Sequence, residues 1–339
     1  MSRIIVFDLS NSPVGAFEAV CNRGWILLGN TGVSDGGQTT VDVPDEAAAQ
    51  PWLQLGRMVI VERPPLPAWV GVIDTPWTAT SPVQMTLYNA EYLFSLRSAE
   101  GSVAVSGPLP ATIVEMIRLV NEQEETFIAV GNAANVQTQF DRVIEQSNIW
   151  DQMISLLEEA GYEMILRPQR VRNRLSIYVD VGVALGENTS YLLHDGDGGN
   201  MKVIDATVNG KIINRVKGVS GETTEEDQMQ SDVLENQQSQ DIYRTRSEVV
   251  QFRNITQQSV LNQYTQTYLD ISSSPFLDLQ VAAEEVTFPY LRVGNRLLVH
   301  AANVILPGGI RGWRGSVRIL AMAYDEASNT VKMTLRGTL

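Results

Sequence analysis

The chain has 339 residues, 44% hydrophobic and 19% charged, enough for roughly two to four modules around substantial apolar cores. Its 25 Lys/Arg against 39 Asp/Glu leave a formal charge of −14, which argues against electrostatic capture of nucleic acid or docking on anionic lipid. Cys21 is the only cysteine, so a disulfide framework or a CxxC metal knuckle within one chain is excluded.

The amino terminus, from Met1 through Ile4, Ile5, Val6 and Phe7, reads as a first strand and not as a signal peptide. No apolar stretch approaches the roughly 20 residues needed to span a bilayer. Assembly in the cytoplasm is therefore expected. Residues 57–63, 69–73 and 83–88 are short, β-branched runs separated by Pro, Gly, Asn and Asp. Pro64, Pro65, Pro67, Pro76 and Pro82 all fall between them, where a missing N–H breaks no ladder.

The periodicity changes near residue 108. Ile113, Val114, Met116, Ile117 and Val120 are spaced for a helix over 111–120. A stronger stripe runs through Val143, Ile144, Ile149, Trp150, Met153, Ile154, Leu156 and Leu157, with Gly161 placed for a left-handed cap. Strand-like runs at 162–166 and 174–181 complete a small α/β module. Beyond a loop at 195–199, the runs 201–208 and 211–219 flank Asn209-Gly210, a two-residue hairpin signal. Residues 221–240 are polar and predict a solvated loop or arm. A helix is expected within 243–270, closed by Pro275, and strands return from Val286 to the end.

The ending repeats the beginning. Gly56, a strand at 57–61, Trp69-x-Gly71 and the strand Val83-Gln84-Met85-Thr86-Leu87 are followed in the same order by Gly294, 295–299, Trp313-x-Gly315 and Val331-Lys332-Met333-Thr334-Leu335. The Gly-to-Trp separations differ by six residues and the Trp-to-Val separations by four, as loop insertions produce. Gly56 and Gly294 would permit the turn that starts a strand. Trp69 and Trp313 would anchor the same barrel corner, and Gly71 and Gly315 would mark a bulge or bend.

With this duplication the chain resembles the central baseplate and tail-tip hub proteins of tailed phages, the hubs of long non-contractile tails above all. The resemblance is carried by Trp69-x-Gly71-x-Ile73, by residues 291–299, by Arg318-Ile319-Leu320-Ala321-Met322-Ala323-Tyr324-Asp325 and by the final strand, 330–335. It implies an α+β, mainly β fold: a first, tube-docking β-barrel over 1–105, an inserted α/β module over 106–200 and a second barrel over 201–339. A polar arm and helical insertion at about 221–285 interrupt the second barrel. It further implies a structural virion protein, a homotrimeric ring of pseudo-six-fold symmetry lining a channel for tape measure and DNA. Expected partners are further copies of itself, the tail tube or distal tail protein ring, and a tip, fibre or spike protein, with no membrane binding by this chain.

Chemistry is sparse. His194 and His300 are the only histidines, in no HExxH or HxH pattern, and no G-x-S-x-G elbow or phosphate-cradling Gly-Lys-Ser/Thr loop exists. No catalytic residue and no cofactor are expected. Glu158-Glu159, Glu284-Glu285 and Glu225-Glu226-Asp227 read as solvated surface. Asp195 and Asp197 alternate with glycines in the one loop that could wrap Ca²⁺, but the distal glutamate of an EF-hand is missing. Asn188-Thr189-Ser190 and Asn254-Ile255-Thr256 match glycosylation sequons without a secretory signal. Six tryptophans keep a carbohydrate-binding tail protein as the alternative, with Trp25 and Trp52 the more open, and a tail-associated hydrolase behind it.

Overall fold

In the computed structural model, residues 1–29, 37–98, 103–133, 139–144, 148–220, 228–252, 255, 257–284 and 291–339 are described. Strands hold 53% of the described residues, among which no helix is long and apolar enough to cross a membrane.

The first third contains β1 (Ser2–Phe7), β2 (Pro13–Ala19), β3 (Arg23–Ile26), β4 (Leu28–Gly29), β5 (Gln38–Val43), α1 (Asp45–Ala48), β6 (Met58–Glu62), β7 (Trp69–Thr78), β8 (Val83–Asn89) and α2 (Glu91–Ser95). Six of these strands form a curled antiparallel sheet in the order β2-β1-β6-β7-β8-β5. The run Met58-Val59-Ile60-Val61 is buried without interruption because both faces of the sheet are covered. Val59, Val61, Trp69, Ile73, Met85 and Leu87 fill the interior of the curl. Met58, Ile60, Val70 and Val72 face a second core shared with the helices that follow.

The middle contains β9 (Val103–Pro108), α3 (Leu109–Gln123), β10 (Ile128–Ala133), β11 (Gln139–Ile144), α4 (Ile149–Ala160), β12 (Glu163–Val171) and β13 (Arg174–Gly182). Helix α3 buries Ile113, Met116, Ile117 and Val120 but leaves Val114 exposed. Helix α4 starts at an Asn148 cap, whose side chain accepts from the Trp150 and Asp151 amides, and ends at Gly161 with φ +68°. Val143 and Ile144, which the spacing places on the stripe of this helix, do not belong to it. They pair with Ala104 and Val103 in the β9–β11 ladder, and the cap at Asn148 sets the helix start downstream of them.

The remainder contains β14 (Asn188–Asp195), β15 (Met201–Asn209), β16 (Arg215–Ser220), β17 (Leu234–Glu235), α5 (Gln237–Tyr243), β18 (Ser247–Phe252), α6 (Gln258–Ser272), β19 (Phe276–Glu284), β20 (Arg296–Leu306), β21 (Ile310–Asp325) and β22 (Thr330–Thr338). The second curled sheet has the order β14-β20-β21-β22-β19-β15, with β3 added alongside β21. It therefore draws on strands before residue 201. Its inner face carries Leu297, Val299, Val317, Ile319, Met333 and Leu335.

The expected hairpin at Asn209-Gly210 does not form. β15 pairs with β19, while β16 pairs with β17 and β18. A tight hairpin turn of the mirror-image type needs both central residues near φ +60°; Gly210 lies at +122° and Asn209 is not in the positive region. The chain instead leaves the sheet, burying Ile212 and Ile213. Residues 228–240 are also not a free arm. Ser231 and Ser239 are buried, the Ser231 hydroxyl accepts from the Gly218 amide, and Asn236 caps α5. Side-chain hydrogen bonds hold this polar segment where apolar burial would hold another. Residues 221–227 of the expected arm lie outside the described residues.

Candidate functional site

The two sheets share a four-strand unit. β5-β6-β7-β8 and β19-β20-β21-β22 follow the same chain order, all antiparallel, each first strand lying beside its last in the sheet orders β6-β7-β8-β5 and β20-β21-β22-β19. The correspondence extends to single hydrogen bonds. Gly56 has φ +78° and donates its amide to the Ile73 carbonyl at 2.7 Å, and Ile73 donates back to Arg57 at 2.9 Å. Gly294 has φ +86° and donates to Ile319 at 2.8 Å, and Ile319 donates back to Asn295 at 3.0 Å. Ile73 pairs with Leu87 and Ile319 with Leu335, the last residues of the two Val-x-Met-Thr-Leu strands. The register then slips next to Thr86 in one unit and Thr334 in the other.

Trp69 and Trp313 each fold the indole over the glycine two residues on, so tightly that a Cβ on Gly71 or Gly315 would lie within 2.5 Å of the ring. They do not occupy the same corner. Gly71 pairs with Val59, three residues after Gly56, whereas Gly315 pairs with Val299, five after Gly294. The two motifs stand one two-residue step apart, which preserves the face but changes the level. Neither glycine is a bulge; the register shifts fall at Asp74/Trp77, Ala301/Ile305 and Ile319/Ala321.

One short segment binds the units to each other. Residues 23–26 of β3 pair with β21, from Tyr324 back to Ala321, and the Leu27 amide donates to Leu320 at 2.8 Å. Leu28 and Gly29 then pair with Met164 and Glu163 of β12. Gly29, at φ +93°, has no room for a side chain: a Cβ would meet the Tyr162 carbonyl at 2.4 Å.

Three polar clasps tie distant parts of the chain together. Glu326, in the β21–β22 turn, has a side chain only 2% exposed and accepts from the Ser2 hydroxyl (2.7 Å), the Cys21 amide (2.9 Å) and Arg63 (2.8 Å), with Arg23 at 3.6 Å. Burial pushes its carboxyl up, but the Cys21 amide, the Ser2 hydroxyl, the amino terminus and Arg23 outweigh this and hold it below the ordinary value. The Arg23 guanidinium is buried, lies 4.9 Å from the Tyr324 ring centroid, and is shifted down by burial. In the second clasp Arg318 forks onto both oxygens of Glu163 and also donates to the Gly294 and Leu185 carbonyls. In the third, the Asn11 amide side chain both donates to and accepts from the Leu175 backbone, each at 2.7 Å.

Asp195 is buried, and its carboxylate accepts from the Ala302 amide and from the amide and side chain of Asn303. Asp197 is exposed in the same loop. The Asp195 oxygens thus serve the β14–β20 junction, and among the described residues no group of three His, Cys, Asp or Glu could hold a metal ion. His194 and His300, separated in sequence, are register partners with ring centroids 5.0 Å apart. Parallel pairing of β14 with β20 has no local sequence signal. Cys21 is buried and its thiol is pushed up to about 12, chiefly by burial. Of the acidic runs, 225–227 and Glu285 lie outside the described residues, as do Asn254 and Thr256.

A cavity of about 750 Å³ opens where the two sheets and the middle module meet, between Trp25, Val70, Ile165, Arg167, Glu187 and Arg292. The tryptophans expected to be open are partly covered. Trp25 donates to the Ala68 carbonyl at 3.2 Å, and Trp52 lies on Gly15 and stacks with Phe17 at 6.4 Å.

Against solved structures, the chain is similar to prophage tail protein gp18 from Listeria monocytogenes EGD-e, with a TM-score of 0.62 at 11% identity over 98% of this chain and 94% of that one. It is similar to the 43 kDa tail protein of prophage MuSo2 from Shewanella oneidensis, with a TM-score of 0.58 at 12% identity over 98% of both. The E. coli c3393 protein, described as a type VI secretion component similar in structure to the T4 tail proteins gp27 and gp5, aligns with a TM-score of 0.50 at 13% identity over 98% of this chain and 76% of that one. No family model matches the sequence, and no curated protein matches it. The likeness is one of fold, shared with these phage tail proteins.

Proposed function

We propose that this chain is a structural, non-enzymatic subunit of a phage tail tip, a hub that joins the tail tube to the tip. The observation that carries the reading is the repeated four-strand unit with its matching Gly56–Ile73 and Gly294–Ile319 hydrogen bonds. A chain that builds one unit twice presents two quasi-equivalent surfaces, so three copies present six around one axis and match a six-fold tube. The clasps at Glu326 and Glu163–Arg318 support this, because quasi-equivalence is useful only if the two units keep a constant relative orientation. Tape measure and DNA would pass through the ring without binding tightly, consistent with the net charge of −14. Expected neighbours are the tail tube or distal tail ring above and a tip, fibre or spike protein below, in a virion assembled in the host cytoplasm.

The test is a reconstruction of the virion tail end by electron cryo-microscopy. Three copies at the end of the tube, with alternating first and second sheets, are expected. A tail end whose density has no place for this chain overturns the reading.

A further inference from the structure

The negative charge is unevenly distributed. Residues 291–339 hold seven Lys/Arg against two Asp/Glu, a net of +5, which leaves −19 on the rest. Of those two acids, Glu326 is buried among its donors, and Asp325 ends β21 beside it. Most of the excess lies on the outer face of β14, β20 and β21 and the hairpin beyond it. His194, His300 and Arg314 are paired in register across these three strands, and Leu192, Leu298 and Ser316 form the next row. Residues paired across a sheet share a face, so the rows make one surface. Leu192 and Leu298 are each 43% exposed at its centre. Arg296, Arg311 and Arg314 pair with no carboxylate among the described residues. Exposed leucines beside unpaired arginines match the makeup of a protein–protein contact, with an apolar centre and a charged rim.

The complement lies on the same chain. Asp42, Asp45 and Glu46 are exposed where β5, the edge strand of the first sheet, leads into α1. Asp42 accepts only from Gln84, and none of the three joins an ion pair among the described residues. The two patches belong to different sheets, so a contact between them in two copies is head-to-tail, the kind that closes into a ring. We infer that the Leu192/Leu298/Arg314 face of one copy docks on the Asp42/Asp45/Glu46 face of a second copy. This rests on the hub reading and names the surfaces by which its subunits meet.

The test is sedimentation velocity of the full chain at about 20 mM and about 500 mM salt, since screening weakens exposed charge pairs. The wild type is expected to associate at low salt and to dissociate at high salt. Arg311→Glu with Arg314→Glu, or Asp45→Lys with Glu46→Lys, is expected to weaken association at least about tenfold while melting like the wild type. Mixing the two variants makes both contacts between unlike copies complementary again, reversed face against reversed face and wild-type face against wild-type face, and association is expected to return. A wild type that stays monomeric at low salt, association indifferent to either pair of substitutions, or a mixture no different from its components overturns the inference. These outcomes leave the hub reading intact, because the tail-end reconstruction tests that separately.

Discussion

Arg63 reaches across 263 residues of sequence to place its guanidinium 2.8 Å from the Glu326 carboxylate. That bond ties the end of β6 to the turn between β21 and β22, and it lies in the cluster that also holds Arg23 and Ser2.

Because the Glu326 carboxyl is held below its ordinary value of 4.5, its contribution to stability is fully present above that pH. It is lost as pH falls through the lowered folded value. Glu326→Gln is expected to cost roughly 3–5 kcal/mol, since it strands the buried Arg23 charge. It should also flatten the acid limb of stability. Urea denaturation followed from neutral pH downward checks both, and an unchanged acid limb would refute the assignment.

Gly56→Ala and Gly294→Ala should differ although the glycines are equivalent. Both occupy the left-handed region, which costs a residue with a Cβ about 1–2 kcal/mol. Open space surrounds Gly56, whereas a Cβ on Gly294 meets the Leu185 carbonyl at 2.7 Å. The second variant should therefore be clearly less stable than the first in denaturant titration.

Glu163 and Arg318 should behave as one unit. Removing Arg318 strands the buried Glu163 carboxylate and removing Glu163 strands the largely buried guanidinium, so each single alanine variant should cost more than half of what the double variant costs. A coupling energy of about 1–3 kcal/mol is expected from the double-mutant cycle. Additive losses would show that the fork contributes nothing.

Asp195→Ala should destabilise by roughly 1–3 kcal/mol through the amides it leaves unpaired. Added calcium should leave the melting temperature of the wild type unchanged. A rise in Tm with calcium would return Asp195 and Asp197 to the role of ligands.

What the sequence determined is local. The β-branched runs, the Gly161 cap of α4, and the order Gly, Trp-x-Gly, Val-x-Met-Thr-Leu each depend on residues within a few positions of one another. Backbone preference acts over that range, so the duplicated unit could be read before any contact was known. Tertiary structure decided which strands meet. It sent β15 to β19 and not across Asn209-Gly210, gave Val143 and Ile144 to β11, and offset the two tryptophans by one step. It also brought Glu326 to Arg63, Glu163 to Arg318 and His194 to His300. Pairings between distant strands depend on which apolar faces can be buried together, and a polar side chain carries no mark of a partner more than a hundred residues away.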